Sequence, residues 1–125
     1  MTNLHSLYIL VTDLNHHVRN LLQRELAKSG HVIYTACNKK EAHEALLKID
    51  YLDLIILDPQ VSEILGESFL KQFREKMPKV NIIFHTFIEF FPDIEMKEGI
   101  WFVEKNEKSI LFLKKIVHEH ARKMG

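Results

Sequence analysis

Short apolar runs alternate with amphipathic stretches along the whole chain. The run Leu7-Tyr8-Ile9-Leu10-Val11 is unbroken and stops at polar Thr12-Asp13. Continuous apolarity over about five residues suits a strand covered on both faces, as in a parallel sheet. Val18, Leu21, Leu22 and Leu26 then recur at helical spacing, with Arg19, Gln23 and Arg24 between them and Gly30 as a C-terminal stop. Residues 32–36 read as a second strand. Asn38 followed by Glu41 resembles a capping box and opens a helix with Ala42, Ala45, Leu46 and Ile49 on one face. Residues 54–57 form a third, wholly apolar strand that runs directly into Asp58-Pro59. A helix over residues 67–76 turns Phe69, Leu70 and Phe73 inward and ends before Pro78. Residues 80–84 and 100–103 are the fourth and fifth strands, and a last helix from residue 107 carries Ile110, Leu111, Leu113, Ile116 and Val117. Pro92 interrupts the stretch 86–99, so any helix there is short or broken.

Strands alternating with helices imply βαβ units, a parallel sheet and right-handed crossovers that place helices on both faces. The expected architecture is α/β: a flavodoxin-like, doubly wound five-stranded parallel sheet of order 2-1-3-4-5, with a shortened fourth helix after strand four. Residues 1–125 are expected to form one domain. In such sheets ligands bind beyond the carboxyl ends of the strands, where the first and third meet. Asp13 follows strand one, Asp58 strand three, Thr86 strand four and Lys105 strand five. Two carboxylates, a hydroxyl and an ammonium are therefore expected on one rim. A carboxylate can act as nucleophile and form an acyl phosphate. A second can help to hold Mg²⁺. A lysine and a hydroxyl can neutralise and hydrogen-bond phosphoryl oxygens. Taken singly, Asp58 could equally be a turn or N-cap residue, Asp13 a helix cap, and Lys105 a surface lysine.

Composition narrows the picture. Lys+Arg and Asp+Glu both total 17, which argues against a nucleic-acid-binding domain. The single cysteine, Cys37, cannot form an internal disulfide, and no stretch has the layout of a signal peptide or a membrane span. A soluble, cytoplasmic protein is the expectation. Of the eight histidines, His16-His17 and His118/His120 are one and two residues apart, so neither pair shares a helix face and no zinc spacing occurs. His16 or His17 lies near the proposed site and is a candidate for tuning its chemistry. Phe87, Phe90, Phe91 and Trp101 either form an exposed apolar patch for a partner or cover the core where a helix is shortened. The loop 12–17 has no glycine to cradle phosphates, which disfavours a flavin or nucleotide site on the same fold.

These motifs together resemble a response-regulator receiver domain over essentially the whole chain. The resemblance rests on Ile9-Leu10-Val11-Thr12-Asp13, Val18-Arg19-Asn20-Leu21-Leu22, Asp53-Leu54-Ile55-Ile56-Leu57-Asp58, Gly66, Ile82-Ile83-Phe84-His85-Thr86 and Phe102-Val103-Glu104-Lys105. It implies two-component phosphorelay signalling, with Asp58 accepting a phosphoryl group from a histidine kinase or phosphotransfer protein. It further implies that Lys105 pairs with that group, that Thr86 and Phe102 act as the switch, and that an output partner or domain reads the state. Direct nucleic-acid or membrane binding is not implied. A metal site of Asp13, Asp58 and the Gln60 backbone carbonyl would hold Mg²⁺. The family's second acid after strand one is Leu14 here, with only Asn15 nearby to contribute, so Mg²⁺ is expected to bind weakly or not at all. Ser62 and Asn106 stand where the family usually has prolines, and the interval from Thr86 to Phe102 is short. These departures motivate an alternative: a pseudo-receiver, a protein-interaction module independent of phosphorylation.

Overall fold

The computed structural model describes residues 5–63, 66–93 and 98–123, with side chains described for all of these except 62–69. Its elements follow in the order β1 (Tyr8–Thr12), α1 (His16–Lys28), β2 (Val32–Ala36), α2 (Lys39–Lys48), β3 (Leu54–Leu57), α3 (Pro59–Glu63), α4 (Gly66–Lys76), β4 (Asn81–Thr86), β5 (Ile100–Glu104) and α5 (Ser109–Lys123). The sheet is parallel throughout, in the order β2-β1-β3-β4-β5, as the alternating pattern predicts.

Local chemistry sets the helix limits. Asn15 caps α1, its side-chain oxygen accepting from the amides of His17 and Val18. The chain leaves α1 through Gly30 at φ +90°, a left-handed turn that a side chain would strain. At α2 the Asn38 oxygen accepts from the Glu41 amide, while the Glu41 carboxylate reaches past Asn38 to the amide of Cys37. The expected capping box is thus present with its return bond shifted by one residue.

Because side chains alternate across a strand, the sheet feeds two cores. Leu10, Ile55, Leu57, Ile82 and Phe84 pack with Leu46, Val61, Phe73 and Met77 beneath α2, α3 and α4. Ile9, Val11, Leu54, Ile56 and Ile83 pack with Leu22, Leu26, Leu113 and Val117 beneath α1 and α5. All four residues of β3 are buried, which explains its lack of polar positions. Asp53, just before β3, accepts from the Tyr8 amide at 2.8 Å and from the Tyr51 hydroxyl, tying the starts of β1 and β3 together.

Several boundaries differ from those read in the sequence. β4 runs on through His85 to Thr86, because both are paired with β5 and buried. An extra turn, α3, begins directly at Pro59, a residue whose fixed φ suits a first helical position. Leu111 is 71% exposed, since the buried stripe of α5 runs through Leu113, Val117 and Ala121 at intervals of four. Phe73 faces inward as expected, Leu70 is half-buried, and the side chain of Phe69 lies outside the described set. Between β4 and β5 the described residues hold one short 3₁₀ turn, Ile88–Phe90, before Pro92. No helix among the described residues is long and apolar enough to cross a membrane.

Phe84 is fully buried in a central strand and stacks on Phe102 at 5.2 Å. Phe84→Ala is expected to lower the unfolding free energy by about 3–5 kcal/mol, measured by urea denaturation.

Candidate functional site

The carboxyl ends of β1, β3, β4 and β5 bring four expected side chains to one edge. The Asp58 amide donates to the Thr12 carbonyl at 3.0 Å, carrying the β1–β3 pairing one residue beyond the strand. The Lys105 amide donates to the Thr86 carbonyl at 2.8 Å and does the same for β4 and β5. Asp13 and Asp58 are both almost wholly buried, at 2% and 1% exposure.

The two carboxylates are held alike. Each Oδ1 accepts from the backbone amide two residues on: Asn15 to Asp13 and Gln60 to Asp58, both at 2.9 Å. Each Oδ2 meets the same ammonium. Lys105 Nζ lies 2.9 Å from Asp13 and 2.7 Å from Asp58. The Phe87 ring covers that ammonium, its centroid 5.6 Å away. Burial pushes the Asp13 carboxyl above the ordinary range, outweighing the Lys105 contact and the Asn15 amide. Burial acts to lower Lys105, but hydrogen bonds to Asp58 and Asp13 outweigh it and raise the ammonium above its usual value. The lysine therefore stays charged between two acids.

Thr86 is fully buried at the end of β4, and its Oγ1 has no hydrogen-bond partner among the described residues. The same holds for Thr12 Oγ1 at the end of β1. Buried hydroxyls without partners are uncommon. Here one of them lies in the strand that flanks Asp58, at the same edge of the sheet.

The outcome for the other sequence candidates is mixed. Lys105, not Glu104, turns to the acids, and Glu104 is exposed. Asp13 is not a helix cap; Asn15 is, so its side-chain oxygen is engaged in α1 and does not offer itself to a metal. Gln60 enters the site through its amide, in the first turn of α3. Phe102 is half-buried and packed between Phe84 and Phe91, at 5.2 and 5.4 Å. Phe91 packs on Phe102 and Trp101 against the core beneath α1 and α5, Phe90 is half-buried, and of the four aromatic residues Phe87 alone is exposed, next to exposed Ile88, so the cluster mostly serves as cover for the core. Leu14 is half-exposed and borders an open cleft of about 410 Å³ beside Lys105. His17 lines the same cleft, its ring 4.0 Å from that of His16.

Two contributors escaped the sequence reading. Arg19 donates to the Asp13 carbonyl at 2.7 Å and anchors the turn that carries the acid. His85, quoted only as part of a strand, is buried beside the cluster. The Ser109 hydroxyl donates to the Asn106 carbonyl at 2.8 Å, so its oxygen accepts from His85 Nε2–H at 2.9 Å. His85 Nδ1 is then left without a partner. Burial, aided by nearby Lys105, pushes this imidazole down to about 4, and Asp58 only partly opposes it. A histidine in an otherwise apolar strand was the available signal.

Comparison with known proteins places this geometry in context. Residues 9–98 match the family model of the response regulator receiver domain. A probable transcriptional regulator, ycf27 of Cyanidium caldarium, is 32% identical over 82 residues, covering 66% of this chain. The chain spans about a third (32%) of that relative's length. The response regulator TrrA of Thermotoga maritima, solved in complex with Mg²⁺-BeF, is 30% identical with a TM-score of 0.70, over 90% of this chain and 97% of that one. A receiver domain protein of Bacillus halodurans has the same fold, with a TM-score of 0.76 at 16% identity over 93% and 97% of the two chains.

His85 makes stability depend on pH. Its folded value of about 4 lies below the ordinary 6.5, so below pH 6.5 the unfolded chain takes up a proton that the folded one refuses. Stability is therefore lost as pH falls from 6.5 towards 4, by about 3 kcal/mol at full extent. Urea denaturation across this window should show a steeper loss in the wild type than in His85→Leu. Parallel curves would contradict the assignment.

Proposed function

This chain belongs to the response regulator receiver domain family, and we propose that it accepts a phosphoryl group on Asp58 from a histidine kinase or phosphotransfer protein. The observation that carries this reading is the buried Asp58 carboxylate, with one oxygen fixed by the Gln60 amide and the other 2.7 Å from Lys105 Nζ. An Asp58 oxygen attacks phosphorus, forming the acyl phosphate, while the bond from phosphorus to the donor's imidazole breaks and the imidazole leaves with the electron pair. Lys105 neutralises the charge gathering on the phosphoryl oxygens. Thr86, whose buried hydroxyl lacks a partner, turns to donate to one of them. Phe102, stacked beside Phe84 and Phe91, responds to the resulting shift of β4 and carries the switch to the exposed surface around Phe87 and Ile88. An output partner or domain in the cytoplasm reads that surface.

The family's Mg²⁺ does not fit the donors present. Among the described residues no three His, Cys, Asp or Glu side chains converge as a metal site. Leu14 offers no oxygen, the Asn15 oxygen caps α1, and all four oxygens of Asp13 and Asp58 already accept hydrogen bonds. No step is assigned to a metal.

Acetyl phosphate, supplied with Mg²⁺ present, is expected to add one phosphoryl group per chain by intact-mass spectrometry, and Asp58→Asn to abolish it. The amide signals of Thr86 and Lys105 should shift in parallel. An unmodified wild type, or equal modification of Asp58→Asn, would refute the reading. The phosphorylation-independent module instead requires that Asp58→Asn leave partner binding unchanged.

A further inference from the structure

We infer that Lys105 is the resident cation of this site and that Asp58 accepts phosphoryl groups without a divalent metal; this rests on the phosphoacceptor reading of Asp58. A hard divalent ion such as Mg²⁺ needs several oxygen ligands and keeps part of its water shell. Around Asp13 and Asp58 no third acidic ligand is found among the described residues: Leu14 offers no oxygen and the Asn15 oxygen is engaged in capping α1. The Lys105 ammonium lies between their Oδ2 atoms, at 2.9 and 2.7 Å, and so occupies a cation position shared by both acids. Displacing it would break two charge-assisted hydrogen bonds and its contact with the Phe87 ring. The cleft beside it exposes more apolar than polar surface: Leu14, Val18, Leu21, Phe87 and Ile110 line it together with polar residues such as His17 and Asn106.

The charge change can be met within the chain. Two carboxylates and one ammonium carry a net −1. Converting Asp58 to an acyl phosphate replaces a single negative charge with up to two. Lys105 already faces Asp58, and Thr86 holds an uncommitted buried hydroxyl at the neighbouring strand end. Arg19, bound to the Asp13 carbonyl at 2.7 Å, places a second positive side chain at the end of β1. With acetyl phosphate as donor, an Asp58 oxygen bonds to phosphorus as the phosphorus–oxygen bond to acetate breaks, and acetate leaves with the electron pair. No further reactant is required.

The residue that sets this behaviour is Leu14. It is 48% exposed, so an aspartate there remains solvated and the fold tolerates it. The test compares wild type, Leu14→Asp and Lys105→Gln with acetyl phosphate, in excess EDTA and in millimolar Mg²⁺, scored by intact mass. Uptake of Mn²⁺ is followed separately by electron paramagnetic resonance. The wild type is expected to be modified at rates within about twofold in the two conditions and to take up no Mn²⁺ at millimolar concentration, while Leu14→Asp gains Mn²⁺ binding and at least about tenfold from Mg²⁺. Lys105→Gln should lose modification in EDTA. A wild type that binds Mn²⁺ and is accelerated tenfold or more by Mg²⁺ overturns the inference and leaves Asp58 as phosphoacceptor. A wild type that is modified in neither condition overturns both.

Discussion

Two carboxylates buried at adjacent strand ends repel each other, and the chain keeps both by placing one ammonium between them. Lys105 makes this possible from β5, reaching across β4 to Asp58 on β3 and Asp13 on β1. The arrangement depends on the whole sheet order. Its backbone is held by the Thr86 carbonyl, so the β4–β5 register decides where the ammonium lies. Removing the lysine would leave two buried acids uncompensated, a far larger penalty than the loss of a surface ion pair. Fold and site are in this sense one construction: the sheet delivers the cation, and the cation permits the acids to stay buried.

The same edge concentrates polar atoms whose hydrogen bonding is incomplete. Among the described residues, Thr12 Oγ1, Thr86 Oγ1 and His85 Nδ1 are buried without hydrogen-bond partners, while the strands below them are packed with Ile, Leu and Val. Each such atom costs about 1–3 kcal/mol relative to a satisfied one. Of the three, the two threonine hydroxyls can donate, whereas His85 Nδ1 is an acceptor in this tautomer. Thr86 is the member whose strand lies between Asp58 and Lys105. His85 differs from the two threonines, because its other nitrogen ties β4 to Ser109 at the start of α5. His85 thereby links the end of β4 to a helix that covers one face of the sheet.

Leu14 and Phe87 give the mouth of the site an apolar lip. Phe87 covers the lysine, and Leu14 lines the cleft beside it. Both side chains remain substantially exposed. The neighbouring aromatic residues divide according to what each can reach. Phe91 closes over Phe102 in the space left by a single 3₁₀ turn, whereas Phe87 and Ile88 face outward. Core cover and exposed surface are built from one short segment.

By itself the sequence determined the strands, their parallel order, and the placement of Asp13, Asp58, Thr86 and Lys105 at one edge. Each of those depends on local periodicity and on where an apolar run ends, and both are written in consecutive residues. The turn at α3 was also within reach, since Pro59 directly after Asp58 is a helix-start signal. Other features were not. Asn15 had to be seen in the turn before its oxygen could be assigned to α1 and withdrawn from the site. His85 could be understood only once Ser109, 24 residues away, was found beside it. That one ammonium serves both acids, and that Leu14 opens onto a cleft beside it, are matters of distance between elements far apart in the chain. Spacing along the backbone does not encode such distances; the packing of strands and helices does.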